Sequence, residues 1–109
     1  MAAEAVGSSK DRSSIVIKDH ETIREIRFSK IGNIQCGNTG KISLFFQTEE
    51  QLREFNSGKI EGLTELQPTC FARLRQEHEL EMIFTCPHPY EKVDRAIQLV
   101  AKHYGIALS

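Results

Sequence analysis

The final third of the chain joins an alternating run to an amphipathic run, and this combination constrains the fold more than any other feature. From Leu80 to Cys86, apolar and polar residues largely alternate, as in a half-buried strand. Pro87-His88-Pro89 then predicts a short rigid corner, because proline fixes its own backbone and restricts the residue before it. Apolar residues recur at helical spacing from Tyr90 to Tyr104, and Gly105 can end that helix in a left-handed turn. The segment predicts a strand joined by a tight corner to a closing helix.

Further stretches predict the strands on which this helix packs. Each places β-branched or aromatic residues at alternating positions between polar or glycine-containing turns. In the stretch 22–30, Ile26 and Phe28 are predicted to point inward. The stretch 41–47 is predicted to be central, because Phe45 makes its second face partly apolar. The predicted strands are 15–17, 22–30, 41–47, 70–75 and 79–86, the last two forming a hairpin.

A second, shorter helix is predicted after the third strand. Thr48-Glu49-Glu50-Gln51 matches a capping box, in which the Thr and Gln side chains each bond the other residue's backbone amide. Gly58 is the predicted left-handed end of this helix. The glycine- and asparagine-containing clusters 31–33 and 36–40 predict turns, since both residues tolerate positive φ.

The order of these elements predicts an α+β fold, an antiparallel sheet with a short middle helix and a C-terminal amphipathic helix packed on it. A bent antiparallel sheet closed by a C-terminal helix is also similar to the pleckstrin-homology arrangement, with the helix at Thr48 as an insertion. This similarity concerns element order alone. Residues 1–14 have few large apolar side chains and predict a flexible tail, and residues 15–109 predict a single domain.

Composition narrows the location and class of the protein. No stretch approaches the roughly 20 apolar residues that cross a membrane, and the first residues lack the apolar segment of a secretory signal. The 3 cysteines form no Cys-x-x-Cys pair, which favours free thiols in a reducing compartment. We therefore expect a cytoplasmic and/or nuclear location. A formal net charge of -1 differs from the strongly basic balance of most nucleic-acid binders.

Catalytic and cofactor signatures are weak. Gly37 to Ser43 departs from a phosphate-binding loop, since Gln35 and Ile42 occupy positions that require glycine and a hydroxyl residue. Cys86, His88 and His103 are zinc-ligand types, but they lack the two spaced pairs of a structural zinc site. A Cys86 nucleophile activated by His88 conflicts with the parity that buries Cys86 beside the core residues. We expect no catalytic residue, no metal and no cofactor.

Apolar residues on the second face of the sheet suggest an interaction role. Phe45, Phe71 and Ile83 lie on strand parities opposite the expected core. Such a face needs to be covered by a partner protein, by a second copy of the chain, or by the two predicted helices. We expect a non-catalytic protein-interaction module or a small subunit of an intracellular multiprotein assembly, with Phe45, Phe71 and Ile83 as candidate contacts.

The alternative is a phosphate-ligand domain. Residues 18–41 are mildly basic, and their cations can contact the phosphates of RNA, DNA or an anionic lipid headgroup. The sequence lacks the aromatic stripe or glycine-rich loop of common RNA-binding modules. The anion-binding candidates are Lys18, Arg24, Arg27, Lys30 and Lys41.

Overall fold

A computed structural model describes residues 3–6, 14–33, 37–73, 78–85 and 87–108. Helix α1 spans Glu49–Glu54 and helix α2 spans Pro89–Tyr104. Short 3-10 turns lie at Ser57–Lys59 and Thr64–Leu66. The strands are β1 (Ala3–Val6), β2 (Ser14–Lys18), β3 (Ile23–Asn33), β4 (Gly37–Phe46), β5 (Thr69–Arg73), β6 (Glu79–Phe84) and β7 (Ile106–Ala107).

All 7 strands belong to one sheet in the order β5-β6-β4-β3-β2-β1-β7. Neighbours from β5 to β1 are antiparallel, and β7 pairs with β1 in parallel. The predicted α+β fold, with its short middle helix and C-terminal helix, is confirmed. The pleckstrin-homology similarity remains one of element order: α2 covers one face of the sheet, and a further strand follows it.

The core lies between α2 and one face of the sheet. Alternate residues of β4 and β6 point into it, and Ile42, Leu44 and Met82 are fully buried there. Helix α2 contributes Val93 and Val100, and Leu52, Leu63 and Ile106 join the same cluster. Phe55 packs against it. The predicted apolar stripe of α2 and the predicted inner faces of both strands are therefore confirmed. Burying apolar area at about 25 cal/mol per Å² makes this cluster the main source of stability.

A β-bulge in β3 changes its parity. The pairing of Ile23 with Phe46 is followed by Glu25 with Phe45, so Arg24 is the additional residue. As a result Ile23 and Ile26 are both fully buried, although simple alternation places them on opposite faces. The bulge thus places Arg24 on the side of the sheet away from the core.

The end signals of the helices are partly as predicted. The Thr48 hydroxyl accepts from the amide of Gln51 at 3.2 Å, and the Gln51 side chain accepts from the Thr48 amide at 3.1 Å. The predicted end at Gly58 is wrong, since α1 ends at Glu54 with Phe55 as its C-cap, and Gly58 belongs to the next 3-10 turn. The Asn56 side chain starts that turn by accepting from the Gly58 amide. Gly105 ends α2 at φ 68°, as predicted.

Two predicted irregular segments contain strand. Gly37 to Gly40 pairs with Lys30 to Asn33 and extends the β3–β4 hairpin, so the predicted turns at 31–33 and 36–40 are regular ladder wherever they are described. Ile34 and Cys36 lie outside the described residues. The predicted flexible tail differs at Ala3–Val6, which forms β1, and at Ser14, which begins β2. Backbone pairing with distant strands overrides their weak local preference.

No helix within the described ranges is both long and apolar enough to cross a membrane.

Candidate protein-interaction surface

The sheet face opposite the core, which we name the open face, combines charged and apolar side chains. Strand register sets which residues are neighbours across it, because directly paired residues point to the same side. The buried residues of α1 and α2 other than Pro89 join the core cluster, whereas Phe45, which is also buried, does not. Two rows run across strands β3, β4, β6 and β5: Glu25, Phe45, Glu79, Arg73 and Arg27, Ser43, Glu81, Phe71.

Phe45 is covered by the arginines of the neighbouring strand. The guanidinium carbon of Arg27 lies 4.5 Å from the centre of the Phe45 ring, and that of Arg24 lies 5.1 Å from it. Both distances are within the range of a cation–π contact. Phe45 is only 1% exposed as a result. Another molecule can contact this ring only if the arginines move aside.

Glu25 fixes one of these arginines. Arg27 donates from Nε to Glu25 Oε2 at 2.8 Å, and the Ser14 hydroxyl donates to the same oxygen. Burial alone raises the pKa of Glu25, but the hydrogen bonds from Arg27 and Ser14 and the charges of Arg27 and Arg24 outweigh it. The net pKa of Glu25 lies below its ordinary value of 4.5. The ionised carboxylate therefore orders the cover over Phe45.

This lowered pKa predicts acid sensitivity. A carboxyl whose folded pKa is depressed stabilises the protein fully above its unfolded pKa, and the contribution is lost as pH falls through the folded pKa. The melting temperature of the wild type is expected to fall more steeply below about pH 4.5 than that of Glu25→Gln. Thermal melts between about pH 6 and pH 3 measure this difference. Glu61→Gln, an exposed change elsewhere, is expected to follow the wild type; a Glu25→Gln profile parallel to the wild type would contradict the assignment.

Glu81 is the most buried charge of the open face. Its side chain is 6% exposed, and its Oε2 lies 3.0 Å from Lys41 Nζ and 3.5 Å from Arg73 Nη2. Neither cation has the geometry to donate a hydrogen bond to Oε2. The desolvation cost of the buried carboxylate is therefore offset mainly by Coulombic attraction. Carboxylates on the polar face of a strand are usually solvated, but Glu81 is buried between β4 and β5. Through its ion pair with Glu81, Arg73 links the edge strand β5 to β6.

The burial of Glu81 makes its ion pairs asymmetric. Lys41→Met leaves a buried carboxylate with Arg73 alone, and we expect a loss of about 2 kcal/mol in the free energy of unfolding. Glu81→Met leaves cations that are 42% and 60% exposed and stay hydrated, so we expect less than about 1 kcal/mol. Urea unfolding compares the two variants. An equal or larger loss of unfolding free energy for Glu81→Met would show that the buried carboxylate does not carry the larger desolvation cost.

Strand β5 is exposed along its whole length. Its 5 residues, Thr69–Arg73, are all exposed, and among the described strands its only neighbour is β6. Phe71 is 50% exposed on the open face. Cys70 and Ala72 pair with Met82 and Leu80 and so lie on the core side, yet they also remain exposed. Helix α2 packs mainly on β4 and β3, so β5 projects beyond it.

The other predicted contacts surround this strand. Ile83 is half-buried on the open face, in register with Thr69 on one side and Lys41 on the other. The register thus brings Ile83 and Phe71 to adjacent positions at the β5 end of the sheet, while Phe45 lies deeper under its arginines. Partial burial raises the pKa of the Cys70 thiol, which disfavours the reactive thiolate.

The basic candidates do not converge. Lys41 and Arg27 pair with the carboxylates of the open face, and Arg24 covers Phe45. Lys30 Nζ lies 2.8 Å from Asp94 Oδ1 of α2, on the core side. Lys18 is exposed at the end of β2. An incoming phosphate must therefore displace carboxylates from several of these cations, so the arrangement gives little support to a phosphate-ligand site.

The two described histidines of the zinc hypothesis are far apart. His88 precedes α2 and His103 lies in its last turn, about 22 Å away at 1.5 Å per residue, so one ion cannot bind both. Cys86 lies outside the described residues. Within the described part of the chain, no group of His, Cys, Asp and Glu side chains has the geometry of a metal site.

Sequence reasoning did not anticipate a groove on the core side. It has a volume of about 480 Å³ between residues 59–65 and the C-terminal half of α2. This size falls in the range of small-molecule sites, about 300–1,000 Å³. Its charged lining is of mixed sign: Lys59, Glu61, Glu65, Arg95 and Lys102. Such a lining selects no ligand class.

The β5 strand, with its half-exposed Phe71, and the open face beside it are therefore the candidate surface. Comparison with known proteins finds no matching family model, no matching curated protein and no matching solved structure.

Proposed function

We propose that the chain is a non-catalytic protein-interaction module, or a small subunit of an intracellular assembly, that binds an extended protein segment by strand addition at β5. The observation that carries this proposal is that β5 is an edge strand exposed along all 5 of its residues and on both faces. A sheet edge presents unpaired N–H and C=O groups that another extended chain can satisfy.

Natural sheets normally protect such an edge. Lysines, prolines, bulges or covering loops make pairing unfavourable. Within Thr69–Arg73 there is no lysine, no proline and no register shift against β6. Pro68 precedes the strand and marks its beginning. The opposite edge of the sheet is β7, which has 2 residues and offers little to pair with. Strand β5 is thus the edge best suited to recognition.

Side chains of the open face supply the specificity. In strand addition the main-chain bonds give affinity, and alternate side chains of the added strand meet the neighbouring face. Phe71, with half of its surface exposed, is the apolar anchor, and Ile83 adjoins it. Aromatic anchors carry a large share of binding energy in protein interfaces. Arg73 supplies a charge at one end of the strand.

Affinity capture from the native cell lysate with matched variants tests the proposal. Phe71→Glu removes the anchor, and Ala72→Pro disturbs the backbone of β5. Val16→Glu is the control, because Val16 is similarly exposed, at 44%, but lies on β2 away from this edge. Stoichiometric protein partners are expected to be lost with Phe71→Glu and Ala72→Pro and kept with Val16→Glu.

A second measurement localises the binding. Amide hydrogen exchange of residues 69–73 is expected to slow in the purified complex, because strand addition protects amides that face solvent in the free protein. Circular dichroism and thermal melts of each variant exclude unfolding as the cause of lost binding. Partners retained at wild-type level by both folded β5 variants, with no protection of residues 69–73, would refute the proposal.

A further inference from the structure

We propose that a second copy of this chain is a partner of the β5 edge, through antiparallel β5–β5 pairing about a two-fold axis at Phe71. The inference rests on the proposed function in using the same edge, and it names the occupant. The pairing joins two sheets into one continuous sheet, with the open faces of both copies on the same side. A two-fold interface uses the same patch on both copies, so one exposed strand is sufficient to form it.

Symmetry and strand length select the register. A two-fold axis perpendicular to the sheet relates the two strands. It must pass midway between one residue and the same residue of the second copy, which face each other. Centred on Phe71, the axis pairs all 5 residues of β5 with their counterparts. Centred on Cys70 or Ala72, it pairs fewer of them, and a Cys70 centre places Pro68 in the ladder, where proline has no N–H to donate. The Phe71 centre therefore makes the longest ladder.

In this register the side chains of one copy of β5 are complementary to those of the other. On the open face Phe71 lies opposite Phe71 of the second copy, and an aromatic cross-strand pair is stabilising. Thr69 lies opposite Arg73, and on the other face Cys70 lies opposite Ala72. No like charges face each other: the two copies of Arg73 are four residues apart along the ladder, about 14 Å, which exceeds the Debye length at physiological salt.

The side chains of β5 are already oriented in a way that permits this pairing. Arg73 is held toward Glu81 on β6, so it is directed away from the open edge. Phe71 loses its remaining 50% exposure against its counterpart, while the core-side positions Cys70 and Ala72 are small and demand little space. The interface has one central aromatic pair and a short ladder, so we expect a weak, concentration-dependent dimer rather than an obligate one.

Cysteine cross-linking tests the register directly. In a background with Cys36→Ser, Cys70→Ala and Cys86→Ser, the variants Thr69→Cys and Arg73→Cys are prepared separately. The register places position 69 of one copy opposite position 73 of the other, with Cα atoms about 5 Å apart, within disulfide reach. Each variant alone keeps its two cysteines about 14 Å apart. An oxidised mixture is expected to form disulfide-linked dimers, and each variant alone is expected to stay monomeric on non-reducing gels.

Sedimentation velocity over a concentration series tests the association itself. Phe71→Glu and Phe71→Lys each place like charges directly opposite, so each is expected to weaken self-association at least about tenfold. Mixing them places glutamate opposite lysine, which is expected to restore dimers. Val16→Glu is expected to dimerise as the wild type does. Failure of the charge-swapped mixture to associate, or equal cross-linking of Arg73→Cys alone, would overturn this register.

Different results would contradict self-pairing of β5 and strand addition to another protein. A wild type that stays monomeric throughout the series, with no cross-linking of the mixture, overturns self-pairing. If Phe71→Glu still loses stoichiometric partners from lysate in that case, strand addition to another protein stands. If neither self-association nor partner capture depends on Phe71, both proposals are wrong.

Discussion

Replacing Gly40 with alanine is expected to lower the free energy of unfolding by about 3 kcal/mol, near the upper end of overpacking costs. A Cβ at this position would lie 2.3 Å from Val93 Cγ2 and 2.8 Å from the Pro89 carbonyl oxygen. Neither can yield easily, because Val93 is fully buried with one favoured helical rotamer and Pro89 is the rigid first residue of α2. Gly40 therefore sets how closely the helix approaches β4.

Chemical denaturation of a small variant set checks this prediction. Gly58→Ala is the matched control, because its Cβ meets only an exposed Asn56 side chain, at 3.2 Å, and we expect a change within about 0.5 kcal/mol. In a double-mutant cycle, Val93→Ala is expected to offset at least about 1 kcal/mol of the Gly40→Ala cost by removing the nearer clash. A Gly40→Ala protein as stable as the wild type would show that α2 can shift freely on the sheet.

Replacing His20 with alanine is expected to cost about 3 kcal/mol, because several hydrogen bonds are lost at one partly buried position. His20 Nδ1 accepts from the amides of Thr22 at 3.1 Å and Ile23 at 3.0 Å. Its Nε2 donates to the Tyr104 carbonyl oxygen at 2.9 Å, and the two rings pack edge to face. The ring thus connects the turn between β2 and β3 to the end of α2.

Two further variants separate the contributions of His20. Asparagine can still accept from the nearby amides as in an Asx turn but is too short to reach Tyr104, so His20→Asn is expected to lose about half as much stability as His20→Ala. Glu21→Ala changes an exposed side chain of the same turn and is expected to stay within about 0.5 kcal/mol of the wild type. Thermal and urea unfolding measure all three. Equal losses for the asparagine and alanine variants would assign the whole effect to the Tyr104 contact.

Local pattern was sufficient for three of the elements. The alternation in β6, the helical spacing in α2 and the capping box at Thr48 each depend on residues close in sequence, and each predicted element is present. The end of α1 was mispredicted because Asn56 begins a new turn before Gly58 is reached. The bulge at Arg24 was missed because it depends on the register with β4.

Only part of the candidate site could be read from the chain. Parity correctly separated Phe71 and Phe45 from the core side of the sheet, since both lie on the open face. It could not distinguish between them: Phe71 is half exposed, whereas the arginines of β3 cover Phe45. That difference depends on which strand adjoins each residue. A period of two residues carries no information on strand order.

The amino-acid sequence by itself determined the α+β class, the inner faces of β4 and β6 and the closing helix, because hydrophobic periodicity and helix capping act over a few residues. Tertiary structure alone decided that Gly40 lies under a helix, that His20 bonds the far end of α2, and that β5 is the exposed edge. These features arise when segments distant in the chain pair and pack. Their energies depend on distances and burial that exist only in the assembled fold.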